Sequence, residues 1–406
     1  MPSGSAEPRA RWLLPPGTWP LACFYALFFA VAGAALPYLP VYLLDAGLRP
    51  ADIGAALAVG IVTKVVSPYL GAWLAERLGD PLALVRVGLV GGLLSWLIFG
   101  AVPQSFWWLA AALLLYNFFM NGVLPQFEVL TLDRLRGREA DYGAIRLWGS
   151  AGFVLAVLGT GALTARLGIA RLEMIVAALL AALVGISFWI RALAPRYAAR
   201  TPTVGADDGS SAISLRDVLR QPAVIGFLVA IFCLQASHGP YYTFFTIQLE
   251  SAGYSREQAA WFWVLGVIAE IGLFAAAPRL LRRWTGEQLF LCCAGVTTLR
   301  WLLTGAFADS LVVLLFAQLL HAVTFGLYHA AGVHIVRSRF SGALQGRGQA
   351  LYSAVGFGIG GGLGGLASGF LWESVGPFGS YLSAAAAAGI ATLVLWLCRF
   401  RPAANI

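Results

Sequence analysis

PQFEVLTLDRLRGREADYGAIRLWGSAGF, residues 125–153, places an acid, Glu128, near the end of one apolar run. A loop with Arg134, Arg136 and Arg138 follows, and then Arg146 near the start of the next apolar run. Each run is long enough to cross a bilayer, since about 20 apolar helical residues span the hydrocarbon. A charge at the bilayer centre costs about 2.5–3.5 kcal/mol on insertion scales, so such a residue pairs with another or lines a polar cavity. Glu128 and Arg146 are therefore read together as a functional pair; the structural alternative is a gate or packing ion pair at the cytoplasmic boundary that touches no ligand. Asn117, Asn121 and Glu128 are spaced by four and seven, and Arg146, Ser150 and Phe153 by four and three on the next helix, so each set shares a helical face. The two polar stripes are expected to face one another.

Composition carries the same message over the whole chain. Of 406 residues, 59% are hydrophobic and 11% charged, and the mean hydropathy is +0.78. No soluble domain with an ordinary surface has these values, so the fold class is an all-α polytopic membrane protein. Length and hydropathy divide the chain into twelve transmembrane segments, at about 20–44, 52–75, 82–101, 106–129, 146–166, 171–191, 222–248, 258–280, 288–308, 310–335, 347–372 and 377–398. With the N-terminus inside, the loops and tails on the cytoplasmic side hold twenty arginines, and the opposite loops hold only Arg49, Arg166, Arg171 and Arg256. This asymmetry puts both termini in the cytoplasm, in a plasma membrane expected to be a bacterial inner membrane. It also accounts for the net charge of +8 without nucleic acid, which we exclude as a partner.

The run at 21–44 is too long for a signal-peptide core and reads as the first span. All five cysteines lie inside apolar runs, with no metal-ligand or disulfide spacing. There is no phosphate loop, and the one glycine-rich run, GFGIGGGLGGLASG (356–369), is a helix-packing stretch. The chain is thus read as no enzyme, with neither cofactor nor metal.

The two halves repeat. A shift of 206 places Gly33 on Gly239, Gly47 on Gly253, Lys64 on Glu270 and Arg77 on Arg283, and a shift of 204 places GSAGF (149–153) on SAVGF (353–357). Paired six-helix bundles show internal symmetry of this kind, with the substrate site between them near the midplane. The expected organisation is a bundle at 1–192, a cytoplasmic linker at 193–220 and a second bundle at 221–406. Within the linker, PTVGADDGSS is followed by a Ser214 to Asp217 capping pattern for a short surface helix.

Lys64 is the one lysine beside 26 arginines, and it sits in the middle of the second apolar run. A buried lysine can lose its proton where arginine does not, so Lys64 and Glu270 are expected near the cavity. Alternatively Lys64 snorkels or neutralises Glu128 structurally. The four histidines fall in segments seven and ten. Gln235, His238, Tyr242 and Phe245 form one stripe; His321, Phe325 and His329 step by four along another. Histidine titrates in the physiological range and can relay protons, whereas His334, near the boundary, is read as structural.

These features resemble the major facilitator superfamily, over nearly the whole chain. LAERLG (74–79) is similar to its cytoplasmic gating motif, with Glu76 where aspartate is usual and Ala72 in the glycine slot. The resemblance, with the repeat, gives Glu76, Arg77 and Arg283 gating roles. PQFEVL, YGAIRLWGSAGF, TTLRWLL (297–303), LLHAVTFG (319–326) and WESVG (372–376) resemble the branch with the lactose, nucleoside and phenylpropionate permeases. That resemblance implies that Glu128 and Arg146 bind substrate and that Phe153 stacks on it. It also implies that Arg300, His321 and, displaced by a turn, Glu270 take part in proton coupling. Thr324 stands where a proton-carrying glutamate is expected, and Gln318 where a lysine is expected.

The leading expectation is a monomeric secondary transporter, taking up a small organic solute with protons by alternating access. Substrate contacts are expected from Lys64, Asn117, Asn121, Glu128, Arg146, Phe153, His238, Tyr242 and Phe325, and proton coupling from Glu270, Arg300, His321 and His329. Three cations, Lys64, Arg146 and Arg300, against the acids Glu128 and Glu270 favour an anion, and the aromatic residues favour a planar one. An aromatic carboxylate such as phenylpropionate combines both properties. A sugar or nucleoside symporter, an exporter of hydrophobic compounds and a transporter-like sensor or scaffold remain as alternatives.

Overall fold

The structure is a computed structural model that describes residues 14, 17–135, 138, 141–190 and 214–398. The linker expected at 193–220 lies outside the described residues as far as 213, as do Arg9, Arg11, Arg136, Arg191, Arg196, Arg200, Arg399 and Arg401. From Ser214 the reading can be compared: its side chain accepts the Asp217 backbone N–H and caps a short helix, Leu215–Leu219.

Ten apolar spans follow in chain order: α1 (Trp19–Asp45), α2 (Pro50–Leu78), α3 (Pro81–Ala101), α4 (Phe106–Arg134), α5 (Tyr142–Leu167), α6 (Ile169–Trp189), α7 (Pro222–Ser251), α8 (Arg256–Arg283), α9 (Gly286–Ala306) and α10 (Leu311–Arg339). An eleventh stretch, Gln345–Leu397, has 53 residues. At 1.5 Å per residue it measures about 80 Å, more than twice a hydrocarbon core of about 30 Å. Gly376 breaks it, with φ 72° and ψ −178° just before Pro377, giving α11 (345–375) and α12 (377–397). The described residues therefore form twelve spans. Exposed tryptophans mark their ends, among them Trp19, Trp107, Trp189, Trp284 and Trp396, as an aromatic belt at the two membrane interfaces requires.

Two of the expected continuous helices are interrupted. α1 stops at Ala35 and resumes at Leu39, and α7 stops at Ser237 and resumes at Gly239. Pro40 and Pro240 lie in the resumed first turns, where a missing N–H costs no helical hydrogen bond.

The repeat is visible in the backbone. Gly47 and Gly253, 206 positions apart, close α1 and α7 with φ of 86° and 90°. This left-handed turn is available to glycine at no steric cost. Close helix crossings repeat as well. A Cβ on Gly152 of α5 would run into the backbone of Ala26 in α1, and one on Gly364 of α11 into the backbone of Ala236 in α7.

By backbone proximity the chain forms two compact units. The first takes the described residues of Met1–Leu36, Val66–Val102 and Ala111–Ala199. Inside it, α1 packs on α5, and Phe24 lies on Phe127 of α4 with ring centroids 3.5 Å apart. Arg86 of α3 donates to the Ser187 and Ile190 carbonyls at the end of α6, where a cation also meets the negative end of the helix dipole.

The second unit takes Pro37–Val65, Pro103–Ala110 and the described residues of Arg200–Ile406. α8 and α9 begin with capping boxes, Ser255 with Gln258 and Thr285 with Gln288. Gly54 packs against Gly365 and Gly369 of α11. Glu373 accepts the Ala51 N–H at 3.1 Å and lies 3.7 Å from Arg49. The glycine run thus serves packing inside this unit, as small residues do between membrane helices.

Candidate functional site

In the second unit a polar cluster forms around α9. Arg300 is fully buried. Its Nε donates to the Ala317 carbonyl at 3.0 Å and one terminal nitrogen donates to the Thr324 hydroxyl at 3.0 Å. The guanidinium lies over the rings of Tyr241 and Trp301, 4.4 and 4.6 Å from their centroids. Tyr241 donates to Gln318 Oε1 at 3.0 Å, and Trp301 donates to Ser237 at 2.9 Å. The other terminal nitrogen of Arg300 has no partner, and neither have Gln318 Nε2, His321 Nδ1, His238 Nε2 or the Tyr381 hydroxyl. Among the described residues no carboxylate comes within ion-pair distance of Arg300.

A buried ion costs several kcal/mol after relaxation. An aromatic face returns about 2 kcal/mol when desolvated, and hydrogen bonds to a charged donor return roughly 1.5–3 kcal/mol each. The guanidinium is therefore partly compensated and keeps an unmet donor.

Beside it, Glu270 of α8 and His321 of α10 approach to 3.6 Å between Oε2 and Nε2. His321 stacks on Phe325, with centroids 5.4 Å apart and planes at 7°. Phe325 lies in a π-helical turn, Ala322–Leu327, that begins just after His321, a local widening frequent at functional sites. His238 stacks on Tyr242 at 6.0 Å and meets Phe325 edge-on at 6.4 Å. His238 Nδ1 lies 2.7 Å from the Leu234 carbonyl, so it carries the proton and Nε2 is an acceptor. The structure thus brings His238, Tyr242, Glu270, Arg300, His321 and Phe325 together. His329 is a neighbour, with Nδ1 3.1 Å from the Tyr352 hydroxyl and its ring 5.8 Å from Phe357. His334 is exposed at the end of α10.

In the first unit the expected direct pair is not formed. Tyr142, one turn before Arg146, donates its hydroxyl to Glu128 at 3.2 Å. Arg146 lies over Phe29 at 4.0 Å and near Tyr25 at 5.5 Å. Glu128 and Arg146 are both half-buried, and a phenol and an aromatic face satisfy them where the sequence reading placed an ion pair. Tyr25 adds a hydrogen bond to Thr131 at 3.3 Å. Asn117, Asn121 and Phe153 are half-buried; the Asn117 amide donates to the Leu113 carbonyl of its own helix. The Phe153 carbonyl backs onto Gly33 of α1, 2.5 Å from where a Cβ would stand.

Lys64 has an exposed side chain and forms no pair with Glu270, so superposition under the repeat does not amount to contact. Glu76 and Arg77 are exposed at the end of α2, where Arg77 covers Trp73 at 4.2 Å. Arg283 lines a cavity of about 430 Å³ with Arg282, Trp284, Glu287 and His334.

The sequence reading missed Tyr142, Tyr241, Trp301 and Tyr381 as site members. Tyr142 was legible, four residues before Arg146, and Gln318 lies three before His321 on one face of α10. Tyr381 carried no local signal, because it reaches the cluster from α12.

Twelve apolar spans with polar and ionisable groups buried inside the units define a multi-pass membrane transporter. The chain belongs to the MFS_1 like family of major facilitator transporters, whose model matches residues 18–383. It is similar to the Probable 3-phenylpropionic acid transporter of Escherichia coli (strain K12), 32% identical over 88% of this chain and 91% of that one. It is also similar to the Maltose permease of Geobacillus stearothermophilus, 28% identical over 94% of each. Among solved structures it resembles the nucleoside transporter NupG, with a TM-score of 0.81 and 18% identity over 94% of this chain and 98% of that one. That likeness carries the fold.

Proposed function

We propose that the chain is a proton-coupled importer of a small aromatic carboxylate, working by alternating access as a monomer in a bacterial inner membrane with both termini cytoplasmic. The observation that carries this reading is the Glu270–His321 contact at 3.6 Å, set among the aromatic rings of His238, Tyr242 and Phe325. A carboxylate and an imidazole in one site share a proton readily, and Thr324 has no titratable group. Glu270 and His321 are the proton site in this reading, with Arg300 and His329 tuning it.

Flat aromatic surfaces suit a planar solute, and Lys64 and Arg146 suit its negative charge. Asn117, Asn121, Glu128 and Phe153 in the first unit, and His238, Tyr242 and Phe325 in the second, are assigned to the solute during the cycle, with Glu76, Arg77 and Arg283 as gating residues. The 32% identity to a protein named for 3-phenylpropionic acid supports the same class.

A sugar is the second reading, favoured by the hydrogen-bonded Glu128–Tyr142 pair and by the likeness to a maltose permease. Uptake of labelled phenylpropionate and labelled maltose into energised vesicles, compared with vesicles lacking the protein, separates the two. Acid uptake that collapses with the pH gradient supports the first reading; maltose uptake without acid uptake overturns it.

A further inference from the structure

We propose that the second unit binds a small monovalent anion at Arg300, between α7, α9, α10 and α12, either the carboxylate of the carried acid or a free anion such as chloride. Arg300 is a buried guanidinium without a carboxylate partner among the described residues, and one of its terminal nitrogens is unpartnered. The rings of Tyr241 and Trp301 lie against the guanidinium. Its edge is then the direction left for a ligand, where the unpartnered terminal nitrogen offers a charge-assisted hydrogen bond.

Two neighbouring unmet groups have the same sense and outnumber the unmet acceptor His238 Nε2. Gln318 Nε2 and the Tyr381 hydroxyl are buried donors without acceptors, while Gln318 Oε1 is already taken by Tyr241. Buried donors in surplus around a fixed positive charge complement an anion and reject a cation. Glu270 does not fill this role, because its contact is with His321. The transport reading is needed only for the identity of the anion; the site itself rests on Arg300.

The test is thermal unfolding of the purified protein in detergent, at constant ionic strength, with a bulky sulfonate buffer as the only other anion. Chloride, formate and benzoate are the probes. Each binding anion raises the midpoint by several degrees and saturably, as any ligand of the native state does. Arg300→Gln abolishes the shift. Thr324→Glu, which brings a carboxylate to a position 3.0 Å from the guanidinium at present, makes the midpoint independent of anions. It decides the matter if Arg300→Gln fails to fold.

A response to benzoate alone assigns the site to the carried acid; a response to chloride and formate as well assigns it to free anions. No shift with any probe, or a shift that survives in Arg300→Gln or Thr324→Glu, overturns the proposal. Failure of acid transport leaves chloride and formate shifts untouched, so the two readings fail separately.

Discussion

Replacing Gly152 by alanine adds one methyl group at the crossing of α5 and α1. That Cβ would meet the Ala26 carbonyl oxygen, with the carbonyl carbon and Cα 2.6 and 2.7 Å away. These are backbone atoms, which cannot rotate aside, so the helices must part by roughly 1 Å to reach ordinary contact distances of about 3.5–4.0 Å. Overpacking of this kind costs about 1–3 kcal/mol, and a rigid obstacle puts Gly152→Ala at the upper end. Gly159, seven residues on in the same helix, has open space around its Cβ position, and alanine there gains about 0.5–1 kcal/mol of helix stability. The two substitutions should therefore differ by about 2–4 kcal/mol, the sum of those two effects. Unfolding in mixed micelles containing a denaturing detergent, followed by tryptophan fluorescence, measures the difference. The crossing also seats Arg146 on Phe29, so uptake should fall in Gly152→Ala and hold in Gly159→Ala. Equal unfolding midpoints for the two variants would refute the close crossing and the repeat argument built on it.

Other expectations follow from the same geometry. Tyr142→Phe removes the donor to Glu128; a hydrogen bond to a charged group is worth about 1.5–3 kcal/mol, so apparent substrate affinity should fall roughly 10- to 100-fold, and unchanged uptake kinetics would remove Glu128 from the site. Arg146→Lys should not restore the uptake lost in Arg146→Gln, because an ammonium on a flexible stem stacks poorly on Phe29; full activity of Arg146→Lys counts against the stacked role. Glu270→Gln should still exchange labelled for unlabelled substrate, yet lose the tenfold accumulation that one coupled proton supports per pH unit; accumulation by this variant would move the proton site to Glu128 or His329. Lys64→Gln should weaken an aromatic acid far more than its amide in a competition assay, and equal loss for both would sink the anionic substrate.

Of the candidate site, the parts that follow from helical spacing were legible. His321 and Phe325, four apart, do stack, and His238 and Tyr242 do share a face. The Glu128–Arg146 pair was a different kind of inference, since it joined two separate helices by charge and by resemblance to a family. Spacing says which residues share a face, and it is silent on what lies across from that face. Tyr142 holds the acid and Phe29 the arginine; Tyr142 shares a helical face with Arg146, whereas Phe29 is as ordinary in the sequence as any core aromatic. The repeat that aligns Lys64 with Glu270 is likewise a statement about chain positions, and Glu270 meets His321.

By itself the sequence determined that this chain lives in a membrane and how many apolar spans it has. Hydrocarbon imposes those properties on every segment separately, through length, hydropathy and the turn glycines Gly47 and Gly253. Tertiary structure alone decided which polar groups are met and which are left over. Arg300 sits in an apolar run whose reading gave it a role and no partners. Its burial against Tyr241, its bond to Thr324 and its unpaired nitrogen depend on α7, α9 and α10 meeting at one point. A buried charge is judged by everything within a few ångströms of it, and that neighbourhood is assembled from residues far apart in the chain.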